Sequence, residues 1–469
     1  MHKRSPLIAL ILVTGLLLRI ACARGELWLD EISSLQLAHS ASSLWNLLLY
    51  TRSDNNHLLN SAWLYLVDDW AGDIWIFYRI PALLGSVLTV ILLPAFLKGR
   101  PFVERFTTCL LVALSYIFIL YGSEARGYGL MFGLGVSALV VSERSYVTAR
   151  LRSIALLFWV TCILGFLSQF TFLNFYLPLL VSNLWLVFKS RFSRASLTHL
   201  GILHGPVLCT IGFIYLMYVR TLPSGSGELR SYFEVIINLL SVGFGGPELS
   251  PSNLTATVCG AIVALLAVSI LVIELISLVR EKASQSAILL LGLVVPLVGI
   301  LFVEPRVLYE RYLLAPLFFA YLLFASFVSR IWHTSLGGKI LGTFFIFAIV
   351  CGNARLTLKL LEVGRGEYQE AIAYIKANAN ISKINVSGDH EFRNLTVVDF
   401  YQSRVGGEQA VRYVPQVDSS TSWYLVHSQD SNFLPSETVE FSPQTQFRLV
   451  QSYDSAALSG WRWFLYHAD

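Results

Sequence analysis

The chain is dominated by long apolar stretches separated by short polar connections. A helix needs about 20 apolar residues to cross the hydrocarbon core of a bilayer, so the pattern predicts a polytopic α-helical membrane protein with about 11 transmembrane helices. The apolar windows lie at 7–23, 76–97, 106–121, 125–142, 153–169, 171–188, 200–219, 255–279, 286–303, 312–329 and 338–352.

The connection between the first two windows, residues 24–75, differs from an ordinary loop. Residues 32–49 and 57–67 carry apolar side chains at helical spacing, mixed with polar ones. This pattern is typical of amphipathic helices that lie at the membrane surface. We therefore expect interfacial helices in this first loop.

The pattern changes again after residue 352. GEYQEAIAYIKANA at 366–379 predicts an amphipathic helix, and KINVSGD, AVRYVP, SWYLVHS and GWRWFLYH are short strand-like runs between polar breaks. We predict a transmembrane catalytic domain over 1–352 and a small soluble α/β domain over 353–469. The latter has no Gly-rich phosphate loop, HExxH or GxSxG sequence, so nucleotide binding or hydrolysis by it lacks support.

The composition agrees with a membrane protein. Apolar residues make up 55% of the chain, the mean hydropathy is +0.62 and charged residues reach 14%, against about 25% in soluble proteins. The net charge of +4 is not clustered into a basic stripe, which excludes a typical nucleic-acid-binding protein. The six cysteines fall in apolar runs without a CxxC pair, so neither a zinc site nor a disulfide framework is indicated.

Positive charge alternates between successive connections, and this alternation predicts the orientation. Connections rich in Lys and Arg stay in the cytoplasm. The basic set is Lys3, Arg4, Lys98, Arg100, Arg105, Arg144, Arg150, Arg152, Lys189, Arg191, Arg194, Arg280, Lys282, Arg330 and Lys339. The N-terminus is then cytoplasmic, whereas the first loop and the C-terminal domain face the periplasm or the extracellular space of a bacterial plasma membrane. Arg19 and Glu274, near window ends, are predicted to snorkel to the membrane surface.

Candidate chemistry concentrates in the first loop. The pair Asp30–Glu31 directly follows the first window. The DNNHLLN segment adds Asp54, Asn56, His57 and Asn60. A carboxylate held at the outer surface can act as a general base towards an acceptor hydroxyl, although an acid in this position can equally be a plain topological flank.

Further polar groups recur at the same predicted level of the membrane. They are Arg79 in FYRIP, Glu124, Arg126 and Tyr128 in SEARGYG, and Arg311 and Tyr312 in YERYLLAPL, with Arg306 shortly before. The planar fork of arginine suits phosphate oxygens. A phosphate-bearing lipid in the outer leaflet would meet Arg126 and Arg311.

The order of these motifs resembles the GT-C fold glycosyltransferases, specifically the bacterial protein-mannosyltransferase and aminoarabinose-transferase group. The resemblance covers roughly residues 5–330 and is densest over 25–130. It implies that Asp30 is the catalytic carboxylate, with Glu31 beside it. Arg79 matches the R-[LI]-P arginine, and Arg311 and Tyr312 match the RY pair that opens a late helix. Glu124, Arg126 and Tyr128 match E-A-R-x-Y. Like Glu31, the residues of these three motifs are predicted to bind the substrate.

One segment departs from the family pattern. Where the family commonly has D-x-H-P-P, this chain has Asp54-Asn55-Asn56-His57-Leu58-Leu59, without either proline. The segment resembles an NNHxLN variant in which Asn56, His57 and Asn60 are the polar contacts to substrate.

The resemblance implies inverting transfer of a sugar from a polyprenyl-phosphate donor to a glycan, lipid or protein acceptor. Asp30 would take the proton of the acceptor hydroxyl, and Arg126 and Arg311 would stabilise the departing phosphate. No cofactor is required by the pattern, but a divalent cation held by Asp30 and Glu31 stays open.

Other readings of the sequence remain. A lipid-linked glycan transporter or flippase would also be polytopic, although matched pairs of broken helices are not evident. An O-antigen polymerase or ligase also uses lipid-linked sugars, but typically relies on a large late external loop. A structural membrane scaffold is the third alternative.

Overall fold

The computed structural model describes residues 5–53, 55–146, 151–223, 229–281, 286–303, 307–379, 381–442 and 445–468. The first half of the membrane part contains α1 (Ser5–Cys22), α2 (Leu29–His39), α3 (Leu44–Leu49), α4 (Leu58–Ala71), α5 (Ile80–Phe96), α6 (Phe102–Leu114), α7 (Tyr116–Tyr121), α8 (Tyr128–Ser145) and α9 (Leu151–Ser168). It continues with α10 (Leu173–Lys189), α11 (Arg194–Met217), α12 (Tyr232–Gly243), α13 (Leu254–Arg280), α14 (Ser286–Val303), α15 (Leu314–Trp332) and α16 (Leu336–Val363).

The predicted apolar windows all fall on helices. Within the described ranges, six helices are long and apolar enough to cross a membrane, and shorter apolar helices accompany them. The protein is thus a polytopic α-helical integral membrane protein, whereas the count of about 11 spans stays a prediction. Lys3, Arg4, Asp54, Arg150, Lys282 and Arg306 lie outside the described residues.

Close packing of α5 against α8 fixes the N-terminal ends of these two helices. A Cβ atom on Gly85 of α5 would lie 2.0 Å from the carbonyl oxygen of Gly129, and one on Gly133 would lie 2.3 Å from that of Gly85. Gly129 and Gly133 are four residues apart on α8, which is the small-residue spacing that lets membrane helices approach. This contact holds Arg79, before α5, near the connection that precedes α8.

A backbone break between α6 and α7 is compensated by neighbouring helices. Helix α6 ends at Leu114, and Ser115 adopts an extended conformation. The Tyr116 N–H donates to Asn353 Oδ1 of α16 at 2.7 Å, and the hydroxyls of Ser115 and Tyr321 lie 2.9 Å apart. Protein groups therefore satisfy the irregular backbone, as required inside a membrane.

The prediction that Arg19 and Glu274 snorkel is wrong. The Arg19 side chain is buried and donates to the carbonyl oxygens of Val112 and Ala113 at 2.9 Å, at the end of α6. Glu274 is also buried, and Arg330 Nε lies 3.0 Å from its Oε2. Each charged side chain has a partner on another helix, so it links two helices and does not reach towards the membrane surface.

The C-terminal part is an α/β structure, as predicted. It contains α17 (Tyr368–Ala377) and α18 (Glu391–Gln402), with the strands β1 (Lys383–Gly388), β2 (Ala410–Tyr413), β3 (Thr421–Ser428), β4 (Thr438–Ser442), β5 (Thr445–Tyr453) and β6 (Arg462–Ala468). The strand order is β2-β1-β3-β6-β5-β4. Strands β2 and β3 each pair with β1 in parallel, and the remaining neighbours pair antiparallel.

The sequence did not predict α18, β4 or β5, whose polar faces hide their regular spacing. Helix α16 runs through residue 352, where the predicted boundary lies, and continues to Val363. The change from apolar to polar sequence therefore occurs inside one helix. The division into two domains stays a prediction.

Helices α2 to α4 confirm that the first loop is helical. The C-terminal part shares a hydrophobic cluster with this loop. Ile32 and Leu35 of α2 belong to the same buried cluster as Val398 and Leu425. The Tyr401 hydroxyl donates to the Leu27 carbonyl oxygen at 2.7 Å. The C-terminal part thus packs over the loop that carries Asp30.

Candidate active site

The first turn of α2 sends its two carboxylates in different directions. Trp28 caps the helix, and Glu31 accepts a hydrogen bond from the Trp28 N–H at 3.3 Å, which forms half of a capping box. The Glu31 side chain is 0% exposed, whereas 23% of the Asp30 side chain is exposed. Asp30 is therefore the carboxylate that can meet a ligand.

Asp30 receives two arginines from distant segments. Arg126 Nη1 lies 2.8 Å and Arg311 Nη2 3.1 Å from the same oxygen, Asp30 Oδ2. Both arginines are largely buried, with 4% and 12% of their side chains exposed. The predicted base and the two predicted phosphate ligands thus form one cluster.

Asn55, which the sequence pattern did not single out, completes this cluster. Its Oδ1 accepts from Arg126 Nη2 at 2.7 Å, and its Nδ2 donates to the Asp30 carbonyl oxygen at 2.8 Å. The only sequence signal for Asn55 is its place in DNNH, next to the predicted contacts Asn56 and His57. Asp54, one of those neighbours, lies outside the described residues.

Glu31 and Arg79 form a fully buried ion pair. Arg79 Nε donates to Glu31 Oε1 at 2.8 Å and Arg79 Nη2 to Glu31 Oε2 at 2.7 Å. Arg79 also donates to the carbonyl oxygens of Ala23, Gly25 and Glu26, and the Ala125 N–H donates to Glu31 Oε1 at 2.5 Å. These bonds use the five N–H groups of the guanidinium. They favour a positioning role over the substrate contact that the sequence predicted.

Asn56 and Asn60 also hold loops in place. Asn56 Nδ2 donates to the Tyr218 hydroxyl at 2.9 Å and to the Leu47 carbonyl oxygen at 3.0 Å. Asn60 Nδ2 donates to the Ala125 carbonyl oxygen at 2.6 Å. Together with Glu31, Asn60 fixes residue 125 and so positions Arg126 beside Asp30.

His57 is buried beside the arginine cluster. Its ring lies edge-on to that of Tyr128, with centroids 5.3 Å apart. Burial, followed by the charges of Arg126 and Arg311, lowers the pKa of His57 well below its ordinary value, although the Gln169 side chain acts in the opposite direction. The imidazole is therefore neutral at pH 7.

Glu124 is fully buried in the turn before α8. Its nearest cation is Arg365, whose Nε lies 3.6 Å from Glu124 Oε1. Burial raises the pKa of Glu124 to about 7, although Arg365 lowers it. Arg365 follows α16, beyond the region of the family resemblance, so the sequence gave no reason to select it.

Tyr128 and Tyr312 frame the two arginines. The guanidinium carbon of Arg126 lies 5.1 Å from the centroid of the Tyr128 ring, and that of Arg311 lies 5.8 Å from the centroid of Tyr312. Tyr309 is closer to Arg311, at 4.1 Å, and was not predicted. These rings shield the cations and strengthen their interaction with an anion.

Several buried polar atoms around Asp30 lack a hydrogen-bond partner among the described residues. They are Arg126 Nε, Arg311 Nε, the Tyr128 hydroxyl and His57 Nε2. Such atoms are costly inside a protein unless water or a ligand bonds them. Their concentration marks this region as a candidate binding site.

A divalent cation does not fit the site. Asp30 Oδ2 contacts two guanidinium groups, and both Glu31 oxygens are bonded to Arg79. In the described part of the chain, no group of three or more His, Cys, Asp or Glu side chains could hold a metal. The site offers a carboxylate and cations rather than a set of free oxygen ligands.

No family model matches the chain, and no curated protein matches it in sequence. Solved structures do share its fold. ArnT from Cupriavidus metallidurans in the apo state has a TM-score of 0.53 at 11% identity over 97% of both chains. The Archaeoglobus fulgidus oligosaccharyltransferase in the apo form also gives 0.53, at 10% identity over 91% of this chain and 69% of that one. The protein therefore has the GT-C fold of these membrane glycosyltransferases.

Proposed function

We propose that the protein is an inverting glycosyltransferase that uses a polyprenyl-phosphate sugar on the external face of the membrane. The observation that carries this proposal is the cluster in which Asp30 meets Arg126 and Arg311. It combines a carboxylate base with two cations suited to a phosphate. The alternation of basic connections supports the external location.

The proposed reaction starts when the donor phosphate binds the two guanidinium groups in place of Asp30. The released carboxylate accepts the proton of an acceptor hydroxyl. The acceptor oxygen then bonds to the anomeric carbon while the bond from that carbon to the phosphate oxygen breaks. Arg126 and Arg311 stabilise the charge on the departing polyprenyl phosphate, which is where charge grows in the transition state.

One structural neighbour supports the class of donor. ArnT from Cupriavidus metallidurans bound to undecaprenyl phosphate aligns with a TM-score of 0.52 at 10% identity over 98% of this chain. The proposed acceptor is a glycan, a lipid or a protein.

The test uses purified protein in lipid nanodiscs. Undecaprenyl-phosphate mannose, glucose, galactose, arabinose and aminoarabinose are supplied in turn, and released undecaprenyl phosphate is measured by mass spectrometry. With water as the sugar acceptor, we expect slow release from at least one donor, and release that is slower by about 10²–10⁴-fold from the Asp30→Asn variant. Turnover of soluble nucleotide sugars alone would overturn the donor class. In sealed proteoliposomes, ATP-independent movement of intact donors across the bilayer, without release, would favour a flippase.

A further inference from the structure

Arg365 links the C-terminal part of the chain to the turn that precedes α8. It lies two residues after α16, and only 1% of its side chain is exposed. Its Nη2 donates to the Leu120 carbonyl oxygen at 2.9 Å and to Ser123 Oγ at 2.8 Å. Its Nη1 donates to the Cys22 carbonyl oxygen at 3.1 Å, and its Nε lies 3.6 Å from Glu124 Oε1. One guanidinium therefore holds the end of α7, the start of the turn and the end of α1.

The same turn carries Arg126, two residues after Glu124. Arg126 Nη1 donates to Asp30 Oδ2 at 2.8 Å. A guanidinium donates in fixed directions, so a small displacement of the turn weakens this bond. The described contacts of the Arg365 side chain include neither Asp30 nor Arg126. Any effect of Arg365 on the proposed active site must therefore pass through the turn.

The backbone at Arg365 is in turn held by residues 454–461, the β5–β6 loop. The Tyr368 hydroxyl donates to the Arg365 carbonyl oxygen at 3.3 Å and accepts from the Trp461 N–H at 3.2 Å. A single hydroxyl thus bridges the loop and Arg365. The position of the loop and the position of Arg365 depend on each other.

Gly460 brings the β5–β6 loop still closer to Arg365. A Cβ atom on Gly460 would lie 1.4 Å from the Arg365 carbonyl oxygen, a distance at which atoms overlap. The Ala456 N–H also donates to the Gly364 carbonyl oxygen at 3.2 Å. The loop therefore packs directly on the backbone that carries the Arg365 side chain, and a side chain at position 460 would displace it.

We propose that Arg365 is a positioning residue of the active site, through which the β5–β6 loop keeps Arg126 in place beside Asp30. This inference rests on the proposed function and assigns a part in it to the C-terminal region. The first loop holds the same turn at Ala125. The turn is thus fixed from two sides, and Arg365 supplies the side that faces the C-terminal part.

The experiment measures undecaprenyl phosphate release by nanodisc-embedded protein, with the donor that the wild type cleaves. Arg365→Lys keeps a buried positive charge but loses the planar fork that reaches several acceptors at once. We expect turnover to fall by about 10-fold to 10²-fold, since a misplacement of about 1 Å can cost this much. The affinity for undecaprenyl phosphate should fall by less than about threefold, because the charges of Arg126 and Arg311 remain.

Arg100→Lys is the matched control. Arg100 is also buried, with 4% of its side chain exposed, and pairs with Glu104 at 2.6 Å. It lies beyond the opposite end of α5 from Arg79. Both lysine variants should lower the thermal unfolding temperature, but Arg100→Lys should keep its turnover per folded protein within about twofold of the wild type. A merely structural role would make Arg365→Lys behave in the same way.

A double-mutant cycle with Arg126→Lys tests the path of the effect. The lysine ammonium is a point charge on a flexible stem, so its placement depends less on the turn. Arg365→Lys should therefore lower turnover by less than about threefold in the Arg126→Lys background. An equal loss in both backgrounds would show that Arg365 does not act through Arg126, and would overturn the proposal.

Gly460→Ala disturbs the same contact from the C-terminal side without changing a charge. Its Cβ must displace the Arg365 carbonyl group, so turnover should fall by about tenfold. Gly406→Ala, at an exposed position where an added Cβ meets nothing within 4 Å, is its control and should behave as the wild type. Unchanged turnover in folded Gly460→Ala protein would overturn the role of the β5–β6 loop. If this variant does not fold, the cycle with Arg365→Lys decides.

The outcomes separate the two proposals. Wild-type protein that cleaves no donor would overturn the proposed function together with this inference. A wild type that cleaves a donor, with Arg365→Lys as active as Arg100→Lys, would overturn this inference alone. Loss of turnover in Arg365→Lys, with a small effect in the Arg126→Lys background, would support both.

Discussion

Arg311 places its Nη2 3.1 Å from Asp30 Oδ2, although most of the membrane helices separate the two residues in sequence. Asp30 lies in the first turn of α2, and Arg311 immediately precedes α15. The ion pair therefore ties the first loop to the late helices. In the proposed reaction, donor phosphate competes with Asp30 for Arg311, so donor binding would free the base only when it is needed.

Replacing Asp30 tests the base. Asp30→Asn keeps the shape of the side chain but removes the proton acceptor. We expect donor turnover to fall by about 10²–10⁴-fold. Turnover is measured as undecaprenyl phosphate release in nanodiscs.

Undecaprenyl phosphate binding supplies the internal control for this variant. Removing the negative charge leaves Arg126 and Arg311 without their counter-ion, so the affinity for the lipid phosphate should be equal or higher. Full turnover in Asp30→Asn would exclude Asp30 as the base. Lost turnover with lost lipid binding would instead indicate a collapsed site.

Arg126 tests the phosphate site. Arg126→Lys keeps the charge but loses the fork that contacts both Asp30 and Asn55. We expect partial affinity for undecaprenyl phosphate and a large loss of turnover in Arg126→Lys, and loss of both in Arg126→Ala. Binding is measured by native mass spectrometry and turnover by lipid release.

The control for these variants is Arg144→Ala, which removes an exposed arginine at the other end of α8. It should leave both measurements unchanged. Normal kinetics in Arg126→Ala would contradict the phosphate role. If the Arg126 variants lower protein yield or thermal stability, and lipid affinity and turnover fall together, Arg126 only anchors the turn before α8.

Hydrophobic spacing predicted much of the fold because a bilayer demands long apolar helices. The first-loop helices and most of the strands were equally visible. Strands β4 and β5 were missed, since their residues are largely exposed and show little alternation. The snorkelling of Arg19 was mispredicted because its partners, the carbonyl groups at the end of α6, come from a different helix.

In the candidate site, too, some residues could be predicted from the sequence and others could not. Asp30, Arg126 and Arg311 could be selected because the motif order resembles a known family. The sequence could not tell that Glu31 pairs with Arg79, that Asn55 bridges Asp30 to Arg126, or that Arg365 faces Glu124. Each of these contacts depends on the packing of segments far apart in the chain.

The buried pair of Glu31 and Arg79 should matter for stability. Glu31→Gln leaves the Arg79 charge buried without a counter-ion, which typically costs about 3–5 kcal/mol. We expect a clear fall in the thermal unfolding temperature in detergent. Glu281→Gln removes a carboxylate from an ion pair with Arg330 whose side chains are 56% and 31% exposed, and should change stability by about 1 kcal/mol or less. Equal effects of the two substitutions would contradict the assigned importance of burial.

The predicted orientation can be tested by cysteine labelling. Single cysteines replace Ser42, Ser420 or Arg144, all of which are exposed, in a background without the six native cysteines. A membrane-impermeant maleimide should label the first two positions in intact cells whose outer barrier is permeabilised, and Arg144→Cys only after lysis. Labelling of Ser42→Cys and Arg144→Cys from the same side would overturn the orientation and the external active site.

Glu124 should make stability depend on pH. Its pKa in the folded protein is about 7, against an ordinary value of 4.5. Between these values the folded state holds a proton that the unfolded state has released, so the free energy of unfolding falls as pH rises from about 4.5 to about 7, by at most about 3 kcal/mol.

Glu124→Gln cannot ionise and should escape this loss. The unfolding temperature of the variant, relative to the wild type, should therefore rise between pH 5 and pH 8 in differential scanning fluorimetry. Glu437→Gln, which changes an exposed carboxylate, should show a constant difference over the same range. A constant difference for Glu124→Gln as well would mean that Arg365 keeps the Glu124 carboxylate ionised throughout, and that the turn before α8 is held by a buried ion pair instead of a neutral acid.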